Sequence, residues 1–341
     1  MHLIIQIIPP FRTGYLFPGF PLANFDGVHY VEIAQHGYIN NMRFMPLYPL
    51  LIHITNIVLP FISTQWIGFL LSLFFFIISL IYLNKLFRLD YSKKQAQEAL
   101  LFLIIFPTSF FFWSVYSESL FLLLTVMSFY HARKGKWTYA GLFGFLSSLT
   151  RIVGFLTVIP LLIEYFSSHK TKKVCNFIPI LFIPFGTLLY AIYNYIRWGN
   201  PLLFIQAHSQ LSNGRSSTAL ILFPQTLYRY FKILTTVSVS LWEWKIALLE
   251  LVFFCIGALG IYILWKQKVR LSYLVYTALS LLVPTCSGTF TGLPRYIIVL
   301  FPLFILFSGI RSRTILVCLF VCSFIMQIIL FFYFSRGYFV A

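Results

Sequence analysis

The sequence predicts an all-α protein that crosses a membrane several times, and two observations support this fold class. Hydrophobic residues make up 60% of the 341 residues and charged residues only 10%, whereas a water-soluble domain carries about 25% charged residues. Long apolar segments also alternate with short clusters of Lys and Arg along the chain. Most of the surface is therefore expected to face lipid rather than water.

A helix that crosses the hydrocarbon core of a bilayer needs about 20 predominantly apolar residues. No linker and no soluble domain is visible between the apolar segments, so we interpret residues 1–341 as a single membrane domain, with transmembrane helices over 66–334. The segments that meet or approach the required length are 66–87, 97–113, 117–132, 174–197, 244–265, 271–286, 294–310 and 314–334.

The formal net charge of +17 comes mostly from five basic clusters that lie between apolar segments. Loops that carry such clusters stay on the cytoplasmic side of a membrane. Topology and contact with anionic lipid explain the charge, so no nucleic-acid partner is predicted. The clusters are Lys85/Arg88/Lys93/Lys94, Arg133/Lys134/Lys136, Lys170/Lys172/Lys173, Lys266/Lys268/Arg270 and Arg311/Arg313.

Placing these clusters in the cytoplasm puts residues 24–61 outside, as the first outer loop. Segment 46–61 has both ends outside, so we expect a juxtamembrane helix there, after a first one over 27–37. Segment 138–166 has both ends inside. It is predicted to form a re-entrant pair of short helices, 138–149 and 152–166, that meet near the outer surface.

Acid–base chemistry can draw on only eight acidic residues in the whole chain, and Asp26 lies on the outer side. Asp26 precedes a predicted helix and could serve as its N-cap, which is a structural role. His29 and Tyr30 follow three and four residues later and share a helix face with Asp26. The three side chains could instead bind a polar ligand, and their spacing leaves both interpretations open.

Three further charged residues lie at the outer ends of apolar segments, where a charge without a partner is costly. Glu118 begins an apolar helix, and a binding role and the favourable helix dipole explain it equally well. Arg151 lies at the re-entrant tip and could pair with Glu118 or hold a phosphate, which suits guanidinium geometry. Arg295 has a similar outer position.

The chain carries no signature of a nucleotide or metal site. No G-x-x-x-x-G-K-[ST], G-x-G-x-x-G or Asp-x-Asp motif occurs, which argues against a sugar-nucleotide donor. The five cysteines lie in or beside apolar runs without a Cys-x-x-Cys pair, so we interpret them as buried small hydrophobic residues. Neither a metal nor a cofactor is expected.

Several of these segments together resemble one family. The runs FDGVHY (25–30), IAQHGY (33–38) and FMPLYPLL (44–51) are similar to the first outer loop of PIG-V-type mannosyltransferases, which include the second mannosyltransferase of GPI-anchor assembly. Two later runs, SVYSESLF (114–121) and LTRIVG (149–154), resemble further blocks of that family, and PRY (294–296) is a looser match. The resemblance covers roughly residues 24–166.

The resemblance implies a GT-C architecture, a polytopic helical bundle whose first outer loop carries an acidic residue and two juxtamembrane helices. It implies transfer of a hexose, mannose above others, from a polyprenyl- or dolichyl-phosphate donor to a lipid-linked or glycan acceptor, with inversion. Asp26 corresponds to the general base and His29 to a neighbour of the acceptor. Arg151 and Arg295 would stabilise the leaving phosphate, and Glu118 would shape the site. No metal is required.

The resemblance also sets expectations for location and completeness. The protein should be a multi-pass membrane protein of a bacterial or archaeal plasma membrane, or of the endoplasmic reticulum in a eukaryote, with its active site on the non-cytoplasmic face. Its partners would be the lipid-phosphate sugar, the acceptor and membrane lipids. GT-C proteins carry a full transmembrane helix before the acidic loop, whereas here only Met1 to Ile8 precede Pro9. A further helix upstream, or a shortened fold, is therefore expected.

Two other functions compete with an enzyme. A flippase or transporter of lipid-linked sugars would need polar residues at mid-membrane along a path to both sides. The polar candidates here gather on the outer side, which favours a one-sided enzyme site. A non-catalytic subunit of a glycosylation complex would keep its function when Asp26 is replaced by Asn.

Overall fold

The computed structural model describes residues 16–17, 19–167, 174–211, 221, 223–310 and 312–341. The basic cluster at 170–173, Arg311 and the segment Met1–Pro10 lie outside these residues. The described chain is helical and holds no β-strand, which confirms the predicted all-α bundle. Its α-helices are α1 Asp26–His36, α2 Leu47–Val58, α3 Thr64–Phe87, α4 Lys93–Ile105, α5 Glu118–Arg133, α6 Trp137–Ser148, α7 Val158–Ser167, α8 Val174–Leu181, α9 Phe185–Trp198, α10 Leu203–Leu211, α11 Phe223–Thr236, α12 Trp242–Lys266, α13 Leu271–Thr285, α14 Leu293–Tyr296 and α15 Arg313–Ser335.

Three of these helices, α3, α12 and α15, are long and apolar enough to cross a membrane. Their bounds agree with the predicted segments 66–87, 244–265 and 314–334. One face of α3 shows how such a helix meets lipid, because from Trp66 to Ile81 its exposed side chains recur every three or four residues and are apolar. They are Trp66, Leu70, Phe74, Ile77 and Ile81, each about half exposed.

The predicted span 174–197 is broken into α8 and α9, whose axes differ by 42°. Pro179 lies inside α8 and Pro184 is the N-cap of α9. Proline removes a backbone donor and clashes with the preceding turn, so the two prolines explain the bend. The pair forms a fourth crossing only if it is counted as one bent span.

Two predicted helices are wrong in their details. The α-helix in segment 97–113 ends at Ile105, before Pro107, and the 3-10 helix Ser109–Phe112 follows it. Segment 294–310 holds the short α14 and then the 3-10 helices Ile297–Val299 and Phe301–Gly309. Ile298, Leu300 and Phe301 are fully buried, so protein rather than lipid surrounds this irregular backbone, as a membrane requires.

Helix α5 forms the centre of the bundle. Most of its residues are buried, as expected for a helix that is apolar on all sides. It packs mainly against α3 and α6. On its inner half, Phe129 contacts the rings of Tyr273, Tyr276 and Phe301 at 5.4–5.6 Å between centroids. The short predicted spans 117–132 and 271–286 are therefore core helices, α5 and α13.

The outer loop and the re-entrant pair meet beside the start of α5. The bounds of α1 and α2 are close to those of the predicted helices 27–37 and 46–61, although α2 already ends at Val58. The helices of the predicted re-entrant pair correspond to α6 and α7, and the second arm begins with the 3-10 helix Ile152–Thr157. The Leu47 backbone N–H donates to the Leu149 carbonyl at 3.0 Å, which joins the start of α2 to the end of α6.

A charge network closes the other end of α5. Arg133 donates to both oxygens of Asp90, at 2.5 and 2.8 Å, and its Nε lies 3.3 Å from Glu164. Arg270 reaches the same two carboxylates at 3.3 and 3.1 Å. Asp90 is therefore paired with two arginines, whereas its place in the sequence beside a basic cluster indicates only a solvated carboxylate. The network lies about 22 Å along α5 from Glu118, at 1.5 Å per residue.

Candidate functional site

Asp26 is the first residue of α1. The N-cap position belongs to Phe25, which makes no side-chain cap, so the N-cap interpretation of Asp26 is wrong. Phe25 has a φ of +57°, a conformation that non-glycine residues rarely adopt and that is found at functional sites. Its ring packs on Phe334 and Phe339 at 5.8 Å. The start of α1 is thus held by the C-terminal part of the chain.

Two arginines bind the Asp26 carboxylate. Arg295 Nη1 donates to Oδ2 at 2.6 Å, and Arg43 Nη2 donates to Oδ1 at 3.3 Å. Arg295 comes from α14, almost 270 residues away in sequence. The sequence reasoning missed Arg43, although a signal existed, because Arg43 is the only Lys or Arg between residues 24 and 61.

Glu118 binds two arginines beneath Asp26. Its Oε1 accepts a hydrogen bond from Arg151 and lies 3.1 Å from Arg295 Nε. The pairing that the sequence left open between Arg151 and Glu118 is therefore present. Glu118 is only 1% exposed and lines neither of the cavities described below. It holds the two arginines in place rather than facing a substrate.

Together these residues form a largely buried row of alternating charge, which we call the charge row, in which Glu118 and Arg295 are buried and the other three are partly exposed: Arg43, Asp26, Arg295, Glu118 and Arg151. Arg295 joins both carboxylates. Aromatic rings pack against each guanidinium, a favourable cation–π geometry. Arg43 lies over Phe44 at 4.6 Å, Arg295 over Tyr116 at 5.1 Å and Arg151 over Tyr296 at 5.0 Å.

His29 and Tyr30 line different cavities. His29 Nδ1 lies 3.3 Å from Glu32, and its ring packs on Phe44 at 5.3 Å. The Tyr30 hydroxyl is hydrogen-bonded to Ser117 Oγ at 2.8 Å. Ser117 directly precedes Glu118 in the sequence. The sequence placed both residues on one face with Asp26, whereas the structure divides them between two cavities.

The first cavity has a volume of about 300 Å³ and lies between the outer loop, the re-entrant tip and the end of α13. Tyr30 and four members of the charge row, all except Glu118, line it. Its remaining wall is largely apolar. The apolar side chains include Val153, Phe155, Leu156, Ile205, Val283 and Pro284.

The second cavity is larger, about 530 Å³, and lies between α1, α11, α12 and the loop before α14. It is more polar than the first. Asp26, Arg43 and Arg295 line both cavities, so the Asp26 carboxylate stands on their common boundary. The polar side chains found only in the second are His29, Arg229, Tyr230, Glu243, Glu250, Thr289 and Thr291.

The two cavities differ in charge. Among the described residues, the first is lined by three arginines and one carboxylate, and the second by three arginines and three acidic side chains. Because Glu118 also pairs with Arg151 and Arg295 without lining the cavity, the first cavity keeps a surplus of one positive charge, whereas the second is balanced. An anionic ligand is favoured in the first cavity and a neutral one in the second.

The surroundings of α1 set the charge of its two titratable candidates. Burial alone raises the pKa of Asp26, but the positive charges of Arg295 and Arg43 outweigh it and hold that pKa well below its usual range. Burial lowers the pKa of His29, and Arg43 lowers it further, against the opposing pull of Asp26 and Glu32. At neutral pH the site therefore holds an ionised Asp26 beside a neutral His29.

Within the described part of the chain, no group of three or more His, Cys, Asp or Glu side chains is arranged to hold a metal ion. The carboxylates of the charge row bind guanidinium groups instead. These groups can supply the positive charge that a departing phosphate requires.

Comparison with known proteins identifies one family. The family model for mannosyltransferases (PIG-V) matches residues 13–189, just over half of the chain. The match includes Asp26, His29, Glu118 and Arg151, whereas Arg295 lies beyond it. No curated protein and no solved structure matches the chain. The chain belongs to the PIG-V family of mannosyltransferases.

Proposed function

We propose that this membrane mannosyltransferase takes mannose from a polyprenyl- or dolichyl-phosphate donor and transfers it to a glycan or glycolipid acceptor, with Asp26 as general base. One observation carries the proposal. The ionised Asp26 carboxylate lies on the boundary of two cavities, of which one favours an anion and the other a neutral ligand. A base at such a boundary can reach an acceptor on one side and a donor on the other.

The first cavity suits a lipid phosphate. Arg43, Arg151 and Arg295 offer planar guanidinium groups that match phosphate oxygens in bidentate geometry. The apolar wall, which includes Phe155 and Leu156, suits the isoprenoid chain next to the phosphate. A sugar nucleotide would bring a base and a second phosphate, and the apolar wall offers neither of them a polar partner.

The proposed reaction is a single displacement. The acceptor hydroxyl oxygen attacks the anomeric carbon of mannose while Asp26 takes the hydroxyl proton. The bond between that carbon and the phosphate oxygen breaks, and the electron pair leaves with the lipid phosphate. Arg295 and Arg151 stabilise the charge that develops on the phosphate. Attack from the face opposite the leaving group inverts the anomeric configuration.

The low pKa of Asp26 makes it a weak base before the donor binds. A bound phosphate would share Arg295 and Arg43 with Asp26 and so weaken their pull on its carboxylate. The pKa of Asp26 would then rise toward its usual range. In this proposal the base becomes effective only when the donor is in place.

We assign the site to the non-cytoplasmic face. The charge row lies at one end of α5, and Arg133 and Arg270, from two of the basic clusters, lie at the other. Basic loops stay in the cytoplasm, so the charge row faces outside or into the lumen. The membrane would be the plasma membrane of a prokaryote or the endoplasmic reticulum of a eukaryote.

The test compares the wild-type protein with Asp26→Asn in lipid vesicles that contain radiolabelled polyprenyl-phosphate mannose and a lipid extract of the host. Glu98→Gln serves as a matched control, because Glu98 lies in α4, lines neither cavity and is partly exposed in an ion pair with the exposed Lys94. We expect the control to transfer label normally and Asp26→Asn to lose at least about 100-fold in rate, the usual contribution of a general base.

Two results would overturn the proposal. Equal transfer by Asp26→Asn would remove Asp26 as the base and favour a non-catalytic role for the site. Transfer from GDP-mannose, but not from the lipid phosphate, would remove the donor assignment while leaving the enzyme class intact.

A further inference from the structure

We infer that the second cavity is the acceptor site, that it takes an uncharged sugar headgroup, and that Glu250 with Tyr230 selects it. This inference rests on the proposed function, because it assigns the lipid phosphate to the first cavity. The residues that carry it belong to α11, α12 and the loop before α14. All of them lie beyond residues 13–189, the segment matched by the family model.

Glu250 is an acidic residue inside a helix that is long enough to cross a membrane. It follows the start of α12 by eight residues, or about 12 Å along the helix axis, and is 3% exposed. An ionisable residue at such a depth is costly and marks a functional site by default. Its side chain lines the second cavity, where a polar ligand could reach it.

Tyr230 fixes the position of the Glu250 carboxylate. The Tyr230 hydroxyl donates to Glu250 Oε2 and accepts from the Phe290 backbone N–H at 3.0 Å. The same hydroxyl lies 3.1 Å from Thr289 Oγ1, which lies 2.7 Å from Thr291 Oγ1. A carboxylate, a phenol and two threonines thus form one connected polar wall, and buried polar groups held in this way are well ordered.

The chemistry of this wall fits a sugar. Carboxylate and hydroxyl oxygens accept hydrogen bonds from sugar hydroxyls, and threonine hydroxyls can also donate to them. Phe25, Phe44 and Phe339 add apolar ring surface to the same cavity, against which the C–H faces of a sugar can pack. Pockets of this kind use a few placed polar groups within an apolar lining to orient their ligand.

The balanced charge of the cavity decides which headgroup fits. Its three arginines are matched by Asp26, Glu243 and Glu250. The cavity therefore offers a sugar phosphate or uronic acid no net attraction to offset the cost of removing its charge from water, a cost that a neutral sugar does not carry. The first cavity lacks Glu243 and Glu250 and keeps its positive surplus. The difference between the two cavities therefore sorts an anionic donor from a neutral acceptor.

The experiment measures transfer by the full-length protein in vesicles at varied acceptor and donor concentrations. The acceptor probe is the lipid fraction that the wild-type protein labels, purified from host membranes. Glu250→Gln and Tyr230→Phe are compared with the wild type and with Glu98→Gln as control. We expect both cavity variants to need at least about tenfold more acceptor for half-maximal rate, since Tyr230→Phe loses the hydrogen bond to Glu250 and Glu250→Gln replaces an ionised acceptor with a neutral one.

Two readouts separate recognition from general damage. The donor concentration for half-maximal rate should stay within about twofold of wild type, because Glu250 does not line the donor cavity. The thermal unfolding midpoint in detergent shows whether each variant is folded. If Glu250→Gln unfolds, the milder Tyr230→Phe, which removes one oxygen, decides the result.

The outcomes for the two proposals are distinct. A shift in the donor requirement instead of the acceptor requirement would overturn the acceptor assignment, while an inactive Asp26→Asn would still uphold the proposed function. Mass spectrometry of the labelled product gives a second check, because a charge on the sugar that receives mannose would contradict a neutral acceptor. Absence of transfer by the wild-type protein would contradict the proposed function, and the acceptor assignment would fall with it.

Discussion

Glu118 organises the charge row without facing either cavity. Its carboxylate is nearly inaccessible and is the common partner of Arg151 and Arg295. Those two arginines otherwise repel one another at short range. A single buried carboxylate therefore sets the spacing of two groups that we assign to the phosphate.

Glu118→Gln should destabilise the protein even though it preserves the size of the side chain. Removing one partner of a buried ion pair costs about 3–5 kcal/mol, because a buried charge is left without compensation. Thermal unfolding in detergent would show a lower midpoint than for wild type. Glu98→Gln is the control, because Glu98 is partly exposed and its ion pair with the exposed Lys94 contributes no more than about 1 kcal/mol. Equal midpoints for the two variants would contradict this role of Glu118.

His29 links the site to pH. Its pKa in the folded protein lies below the ordinary value of 6.5, so its contribution to stability is present above pH 6.5 and is lost as the pH falls through the lower folded pKa. The unfolding midpoint of the wild-type protein should therefore decrease as the pH is lowered from about 7.5 to about 5.5, and the decrease should be steeper than in His29→Gln. The other histidines are present in both proteins, so parallel curves would exclude His29 as the cause.

Several site residues could be predicted from the sequence because charges are scarce in it. Asp26, Glu118, Arg151 and Arg295 each stand out beside apolar runs, and the structure brings all four into the charge row. Their pairing could not be predicted, since Arg295 meets Asp26 only after the whole bundle has assembled. A role for Glu250 could not be predicted either, because its partner Tyr230 lies on another helix.

At the scale of elements, the re-entrant pair depends on close packing by glycine. A Cβ at Gly141 in α6 would lie 2.2 Å from the Pro179 carbonyl oxygen in α8. That neighbour is backbone and cannot rotate away. Helices α6 and α8 therefore touch directly, and the bend between α8 and α9 lies beside the arm that carries Arg151.

Gly141→Ala should push α8 away from α6 and destabilise the bundle by about 1–3 kcal/mol, the usual cost of overpacking. Gly309→Ala is a matched control, because its added Cβ would meet only Gln267 Nε2 at an ordinary 3.8 Å. The unfolding midpoints of the two variants in detergent give the comparison. A normal midpoint for Gly141→Ala would show that the contact between the two helices can relax.

The sequence predicts the helices of this fold better than it predicts their interruptions. The apolar runs of α3, α12 and α15 are long enough to be recognised in the sequence as membrane-spanning helices. Segment 294–310 is as apolar as these, yet it forms 3-10 helices. Hydropathy indicates whether a segment is buried but not which backbone geometry it adopts. In this segment the buried surroundings, and not the local sequence, determine the backbone geometry.

At the scale of the whole molecule, charge is divided between two ends of the bundle. At one end, a network of charged side chains joins four separate parts of the chain. Its members are Asp90, Arg133, Glu164 and Arg270. The charge row joins the outer loop, α5, the re-entrant tip and α14 at the other. Between them α5 is almost entirely buried and apolar, so the described structure gives no support to a polar path across the membrane.

This division predicts the topology. In a variant whose five native cysteines are replaced by alanine, Asn40→Cys in the outer loop should react with an impermeant maleimide added outside intact cells. Lys94→Cys, whose native side chain is 87% exposed, should react only after the membrane is opened. Asn40 is exposed as well, so access and not burial decides the result. The reverse labelling pattern would place the charge row in the cytoplasm.

The positive surplus of the first cavity bears on how the lipid carrier departs. In the proposed reaction the donor is a phosphodiester with one negative charge, whereas the released lipid phosphate is a monoester with about −1.5 to −2 at pH 7. After transfer Asp26 carries the proton of the acceptor hydroxyl, so Arg43, Arg151 and Arg295 are then opposed only by Glu118. The resulting surplus of two positive charges matches the released carrier better than the incoming one. Dissociation of the carrier, rather than sugar transfer, would then limit turnover, and free lipid phosphate would inhibit the enzyme by competing with the donor.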